Sequence, residues 1–213
     1  MILTKVPSII KKQIVAVTGL GMVGFLIAHL SGNFLFYAGP KAFNDYAAFL
    51  HSLGKLLWVA RIGLIAMFIV HIIFTILLVI ENKKARSKNY ALYQNHGEKK
   101  SLAVKLMPYT GSILLAYVIL HLIDFTFPDK TIYANGLYEL VSITLSQPIH
   151  ALWYMVAMAC VGFHLSHGIQ SVVQTFGISN KAIMKTTRKL SLSLGVAVGV
   201  GFGSIPLYIM LFL

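Results

Sequence analysis

Acidic residues and cysteine are scarce in this chain of 213 residues. It holds six Asp and Glu, one cysteine (Cys160) and two Trp, and charged residues make up only 11% of it. A single cysteine excludes an internal disulfide, a thiolate metal cluster and the C-x-x-C-H attachment of covalent haem. Average soluble chains carry about 25% charged residues. A soluble domain of this length could not cover its surface with so few. The 57% hydrophobic content and mean hydropathy of +0.78 point instead to an integral membrane protein. Two quantities run against the shortage. The net charge is +12, and eight histidines outnumber the six carboxylates.

A membrane helix needs about 20 mostly apolar residues. Five stretches qualify, at 14–38, 56–80, 106–127, 149–173 and 190–213. Strands of an outer-membrane barrel would be short and alternating, so the expected fold is all-α: one membrane domain of five transmembrane helices. The first run is too long for the 7–15-residue apolar region of a signal peptide and is read as a retained helix. No internal repeat is obvious. The fifth span carries Gly195, Gly199 and Gly203 at every fourth position. That small-xxx-small face suits helix packing, with a subunit contact as the alternative.

The basic residues explain the net charge. Lys5, Lys11 and Lys12 precede the first span, seven Lys and Arg flank the 81–105 connection, and Lys181, Lys185, Arg188 and Lys189 follow the fourth span, which puts 14 of 18 on one side. The positive-inside rule then predicts a cytoplasmic N-terminus and an external C-terminus, which is the orientation of a multi-pass protein of the cytoplasmic (inner) membrane. Charge split among membrane-flanking loops argues against nucleic-acid binding. The 81–105 connection reads either as a docking surface or as a solvated topogenic loop.

Ionisable residues inside a bilayer are costly and usually functional. His29, His71, His121, His164 and His167 all fall within spans. A lone histidine there could be an interhelical hydrogen bond; one in each of four consecutive spans is harder to explain so. At 1.5 Å per residue, His29 and His121 each lie roughly 22 Å beyond the cytoplasmic end of their span, while His71 and His164 each lie roughly 14 Å in. The four therefore form two layers. Two imidazoles at one depth on different helices suit a haem b held between axial histidines, with both iron positions filled and electron transfer as the chemistry. Zinc or di-iron sites would need three or four ligands at one level, often with Glu-x-x-His, and the spans offer no buried Glu. His167, one turn from His164, is the alternative fourth ligand, or a propionate or quinone contact. His51 and His150 fall at outer boundaries and His96 in the cytoplasmic connection.

These residues resemble a family: the diheme cytochrome b membrane-anchor subunit of succinate dehydrogenase and fumarate reductase, in the form with one five-helix polypeptide. The resemblance spans the whole chain. It rests on His29-Leu-Ser-Gly-Asn33, Arg61-Ile-Gly-Leu followed by His71, His121-Leu-Ile-Asp-Phe125, and Gly162-Phe-His-Leu-Ser-His-Gly168 continuing to Gln174-Thr-Phe-Gly177. It implies two b haems, the distal on His29 and His121 and the proximal on His71 and His164, the same pairing that depth gives. It also implies a flavoprotein and an iron–sulfur subunit on the cytoplasmic face, and electron exchange with membrane quinone, menaquinone in particular. Succinate or fumarate chemistry would belong to those partners, with no catalytic residue for it here. Asp45 and His51 are the nearest candidates for quinone protonation. Arg61 either pairs with a haem propionate or quinone or snorkels to the interface. Two rivals remain: a cytochrome b subunit of a hydrogenase or formate dehydrogenase, and a proton-coupled transporter using histidines as a relay.

Overall fold

The computed structural model describes residues 6–85, 102–129, 132–178 and 180–213. Most of the basic 81–105 connection, with His96, therefore lies outside the described residues. Among the described residues the chain is helical, without strands. The helices are α1 (Ser8–Asn33), α2 (Pro40–Ser52), α3 (Lys55–Ala85), α4 (Leu102–Phe125), α5 (Gly136–Ser146), α6 (Pro148–Thr175) and α7 (Lys181–Phe212), with a 3-10 stretch at Phe34–Ala38 after α1. Five of these, α1, α3, α4, α6 and α7, are long and apolar enough to cross a membrane. They coincide with the five expected spans, so this is a multi-pass membrane protein.

Helix boundaries follow local chemistry. Asn180 caps α7, its side-chain oxygen accepting from the Ile183 amide at 2.8 Å, which satisfies one of the free first-turn donors. Proline opens α2 and α6, where its missing N–H costs nothing. Gly177, at φ 77°, ends α6: its amide bonds to the Gln174 carbonyl at 3.0 Å and the Ile178 amide to the Val173 carbonyl at 3.1 Å, the Schellman arrangement that favours glycine.

Hydropathy did not disclose α2 and α5, which are too short to span. They pack on each other at one end of the bundle. There Phe36, Phe43, Leu145, Tyr154, Ile205 and Ile209 form one core. A second core, from Leu30, Ala157, Met158, Val161, Leu165 and Val198, joins α1, α6 and α7. By contrast α3 packs chiefly on α1, and no residue of its apolar window is buried.

The glycine face of α7 lies against α6, as a packing helix requires. A Cβ on Gly195 would stand 2.5 Å from the Gly162 carbonyl oxygen, and one on Gly199 would stand 2.9 Å from that of Met158. The backbones meet where a methyl group cannot fit. Some expected placements need correction: Lys12 lies within α1, and Lys181, Lys185, Arg188 and Lys189 lie within α7 rather than in a connection. Lys11 is not a tail residue but part of α1, only 1% exposed, with its ammonium donating to the Glu81 carboxylate at the end of α3. Its charge is compensated by that pair rather than by water.

Gly195→Ala should lower the stability of the purified chain by about 1–3 kcal/mol, the usual cost of forcing extra volume into a packed contact. Gly203→Ala should be nearly neutral, because its Cβ would meet only the Met158 Cβ at an ordinary 3.8 Å. Unfolding in increasing dodecyl sulfate measures both, and equal effects would contradict the packing described.

Candidate functional site: two facing histidine pairs

The four helices α1, α3, α4 and α6 each carry a histidine, and the structure brings two of these into ring contact. His29 of α1 and His121 of α4 stand with ring centres 6.0 Å apart and planes at 88°. Aromatic rings enclose them. Phe25 stacks on His29 at 5.1 Å, Phe202 lies 5.6 Å from it, and Tyr117, Phe125 and Tyr154 lie 5.6, 5.3 and 6.2 Å from His121. The other two are His71 of α3 and His164 of α6, each turned toward the packing partner of its helix.

The second pair is held through Nδ1. His71 Nδ1 lies 3.1 Å from the Val15 carbonyl oxygen and 3.1 Å from Thr18 Oγ1, both on α1. A carbonyl only accepts, so Nδ1 carries the proton and donates. His164 Nδ1 lies 3.2 Å from Thr110 Oγ1 of α4. In a neutral imidazole with Nδ1 protonated, Nε2 keeps its lone pair and can bind a metal.

Among the described residues no three His, Cys, Asp or Glu side chains converge in a manner that could hold a metal ion. Each level therefore offers two nitrogens. Metal–imidazole bonds run about 2 Å, so two imidazoles on opposite sides of one metal ion stand with ring centres roughly 6 Å apart. The His29–His121 separation has that value. Thr75, one turn beyond His71 on α3, keeps a buried hydroxyl with no partner in the protein, and so does the Trp153 indole nitrogen. Orphaned polar atoms of this kind ask for a bound group or water. The His29–His121 pair thus fits a haem, and His71 and His164 offer one imidazole each for a second.

The remaining candidates lie apart from the pairs. Asp45 and His51 are exposed on α2. The Asp45 carboxylate is taken by Lys41, and that hydrogen bond holds the Lys41 ammonium above its ordinary pKa. His51 lines an open cleft of about 550 Å³ with Lys41, Asn44, Asn135 and Gly136. The Arg61 guanidinium rests 5.4 Å over the ring of Trp58, which is itself 61% exposed. This cation–π contact sets it on the surface side of α3, as snorkelling requires.

Sequence reasoning passed over three features. The hydroxyls of Thr18 and Thr110 brace the second pair. Asp124, three residues past His121, accepts a hydrogen bond from Tyr154 Oη at 2.9 Å, so the third span does hold a partnered carboxylate. A signal for the threonines exists: residues 18–30 and 110–122 both read Thr-Gly, nine residues, then His-Leu. That is a short internal repeat, and it corrects the expectation that there is none.

Comparison with family models, with curated proteins and with solved structures finds no significant match to this chain.

Tyr154→Phe should destabilise the chain by about 1–3 kcal/mol, since it leaves a carboxylate inside the bundle without its donor. In an Asp124→Asn background the same change should cost clearly less. A double-mutant cycle on dodecyl sulfate unfolding checks this, and additive effects would contradict the pairing.

Proposed function

We propose that this chain is the diheme cytochrome b anchor of a succinate:quinone oxidoreductase, a succinate dehydrogenase or fumarate reductase. It would lie in the cytoplasmic membrane with its N-terminus inside and its C-terminus outside. The observation that carries the reading is the facing of His29 and His121 with ring centres 6.0 Å apart, beside one histidine each from α3 and α6 held through Nδ1. The Nδ1 donation of His71 to a carbonyl supports it, because that ring is left with Nε2 as its ligating atom. The whole-chain resemblance supplies the partners.

His29 and His121 would hold the distal haem, and His71 and His164 the proximal one. His164 is favoured over His167 because it is the ring braced by Thr110. When bound, a haem b with imidazole at both axial positions supplies one-electron transfer, its potential set by those ligands and by burial. The chain's own contribution is placement. Phe25, Phe202 and Phe125 shield the distal pair from water. The histidines of α3 and α6 sit nearer the face where 14 of 18 basic residues lie. That face would seat the iron–sulfur and flavoprotein subunits, which carry out the succinate or fumarate chemistry.

Menaquinone is the proposed mobile partner toward the outer end. His51 is the better proton-exchanging candidate there, since an imidazole can both donate and accept a proton and this one opens onto a cleft. Asp45 is less suited, because Lys41 already holds its carboxylate. His167 remains a propionate or quinone contact. Arg61, stacked on an exposed tryptophan, anchors α3 at the membrane interface.

The purified chain should show reduced low-spin b-type absorbance bands with two haems per chain. His71→Ala or His164→Ala should remove one centre, and His29→Ala or His121→Ala the other. Loss of a haem in His167→Ala with both retained in His164→Ala would reassign the fourth ligand. A folded, colourless protein would sink the haem reading and favour the histidine-relay transporter. Two haems without succinate–quinone activity alongside co-purified partners would favour the hydrogenase or formate dehydrogenase alternative.

A further inference from the structure

The short repeat acquires a meaning once the helices are placed. In each copy, threonine and histidine stand eleven positions apart: Thr18 and His29 on α1, and Thr110 and His121 on α4. Eleven residues of α-helix are close to three turns and roughly 16 Å. Threonine and histidine therefore share one face of their helix but lie at different depths. The histidine sits in the outer pair, and the threonine reaches the level of the inner pair.

At that inner level each threonine meets the histidine of its packing partner. Thr18 lies against His71 of α3, and Thr110 against His164 of α6. The following glycine adjoins the same ring. A Cβ on Gly19 would stand 3.3 Å from His71 Cε1, and one on Gly111 would stand 3.6 Å from His164 Cε1. Two helix pairs, α1 with α3 and α4 with α6, thus repeat one contact.

The hydroxyl protons are already committed. Thr18 donates to the Ile14 carbonyl at 2.7 Å. Thr110 Oγ1 lies 3.1 Å from both the Leu106 and the Met107 carbonyls. Both are backward bonds to the helix's own backbone, common for threonine. With its proton on the backbone, each threonine oxygen presents lone pairs that accept from the ring beside it.

We propose that Thr18 and Thr110 are positioning residues that fix His71 and His164 as Nδ1–H tautomers and aim both Nε2 atoms at one iron between them. The inference rests on the haem reading above. An accepted Nδ1–H bond raises the basicity of an imidazole ligand, which stabilises ferric over ferrous iron. The outer pair is built differently: aromatic rings surround His29 and His121, and the hydroxyl at His121 Nδ1 is that of Tyr117, 3.5 Å away, not a threonine. The threonines therefore act on one centre alone. They also act unequally. His71 keeps the Val15 carbonyl as a second acceptor, so His164 depends more on its threonine than His71 does.

The test uses the full-length chain, purified with whatever partner subunits accompany it. Thr18→Val, Thr110→Val and Thr110→Ser are compared by haem content and by redox titration of each centre. Thr110→Val should weaken retention of the inner-level haem about tenfold or more, the usual cost of losing a partner behind a ligating histidine. It should also raise that centre's midpoint potential and leave the outer centre unchanged. Thr110→Ser should restore both properties, and Thr18→Val should move them in the same direction by less. Retention of the outer haem reports that each variant has folded. Should Thr110→Val fail that check, Thr18→Val carries the comparison. Unchanged occupancy and potential in a folded valine variant, or a serine variant that behaves like valine, would overturn the proposal. A wild-type chain without haem would instead overturn the reading on which it rests.

Discussion

An imidazole has two ring nitrogens, and neither can be left bare in an apolar bundle without a cost of several kcal/mol. That requirement organises the centre of this molecule. His71 answers half of it by donating through Nδ1 to α1, and His164 turns its Nδ1 to α4. On the proposed reading the remaining nitrogens would share a partner, and the ring separation of His29 and His121 suits one. A haem iron would then complete the valence of two rings at once.

The rest of the fold holds the pairs in register. The backbones of α6 and α7 meet at Gly162, Gly195 and Gly199, so α6 is backed by a helix with no histidine of its own. Through its Thr-Gly face α1 reaches α3, which has little other support. At one end of that contact Lys11 is tied to Glu81. A pair of this kind adds little net stability over apolar packing, but removing one partner strands the other charge. It fixes the relative height of the two helices that carry His29 and His71.

Much of this was legible in the chain before any coordinates. Hydropathy located the five long helices, because about 20 apolar residues in a row have few alternatives. A rise of 1.5 Å per residue then sorted the histidines by depth, which is how His29 came to be matched with His121 and His71 with His164. The short helices α2 and α5 escaped, since Phe43 and Leu145 are single buried positions in mixed segments and only tertiary packing selects them. Lys11 was misplaced because a lysine ahead of an apolar run reads as a topogenic charge until Glu81 is brought beside it. The threonines were invisible for a different reason. Thr18 and Thr110 are ordinary back-bonding residues in sequence, and their spacing from His29 and His121 matters only when it is known which helix packs on which.

The central claim is that each histidine pair holds one iron through two imidazoles. Near-infrared magnetic circular dichroism of the oxidised, purified chain, read together with haem stoichiometry, tests it most directly, because the charge-transfer band reports the axial ligands of low-spin ferric haem. The account predicts two haems per chain, both with bis-imidazole ligation. A single haem, a high-spin centre, or a band characteristic of histidine–methionine ligation would contradict it.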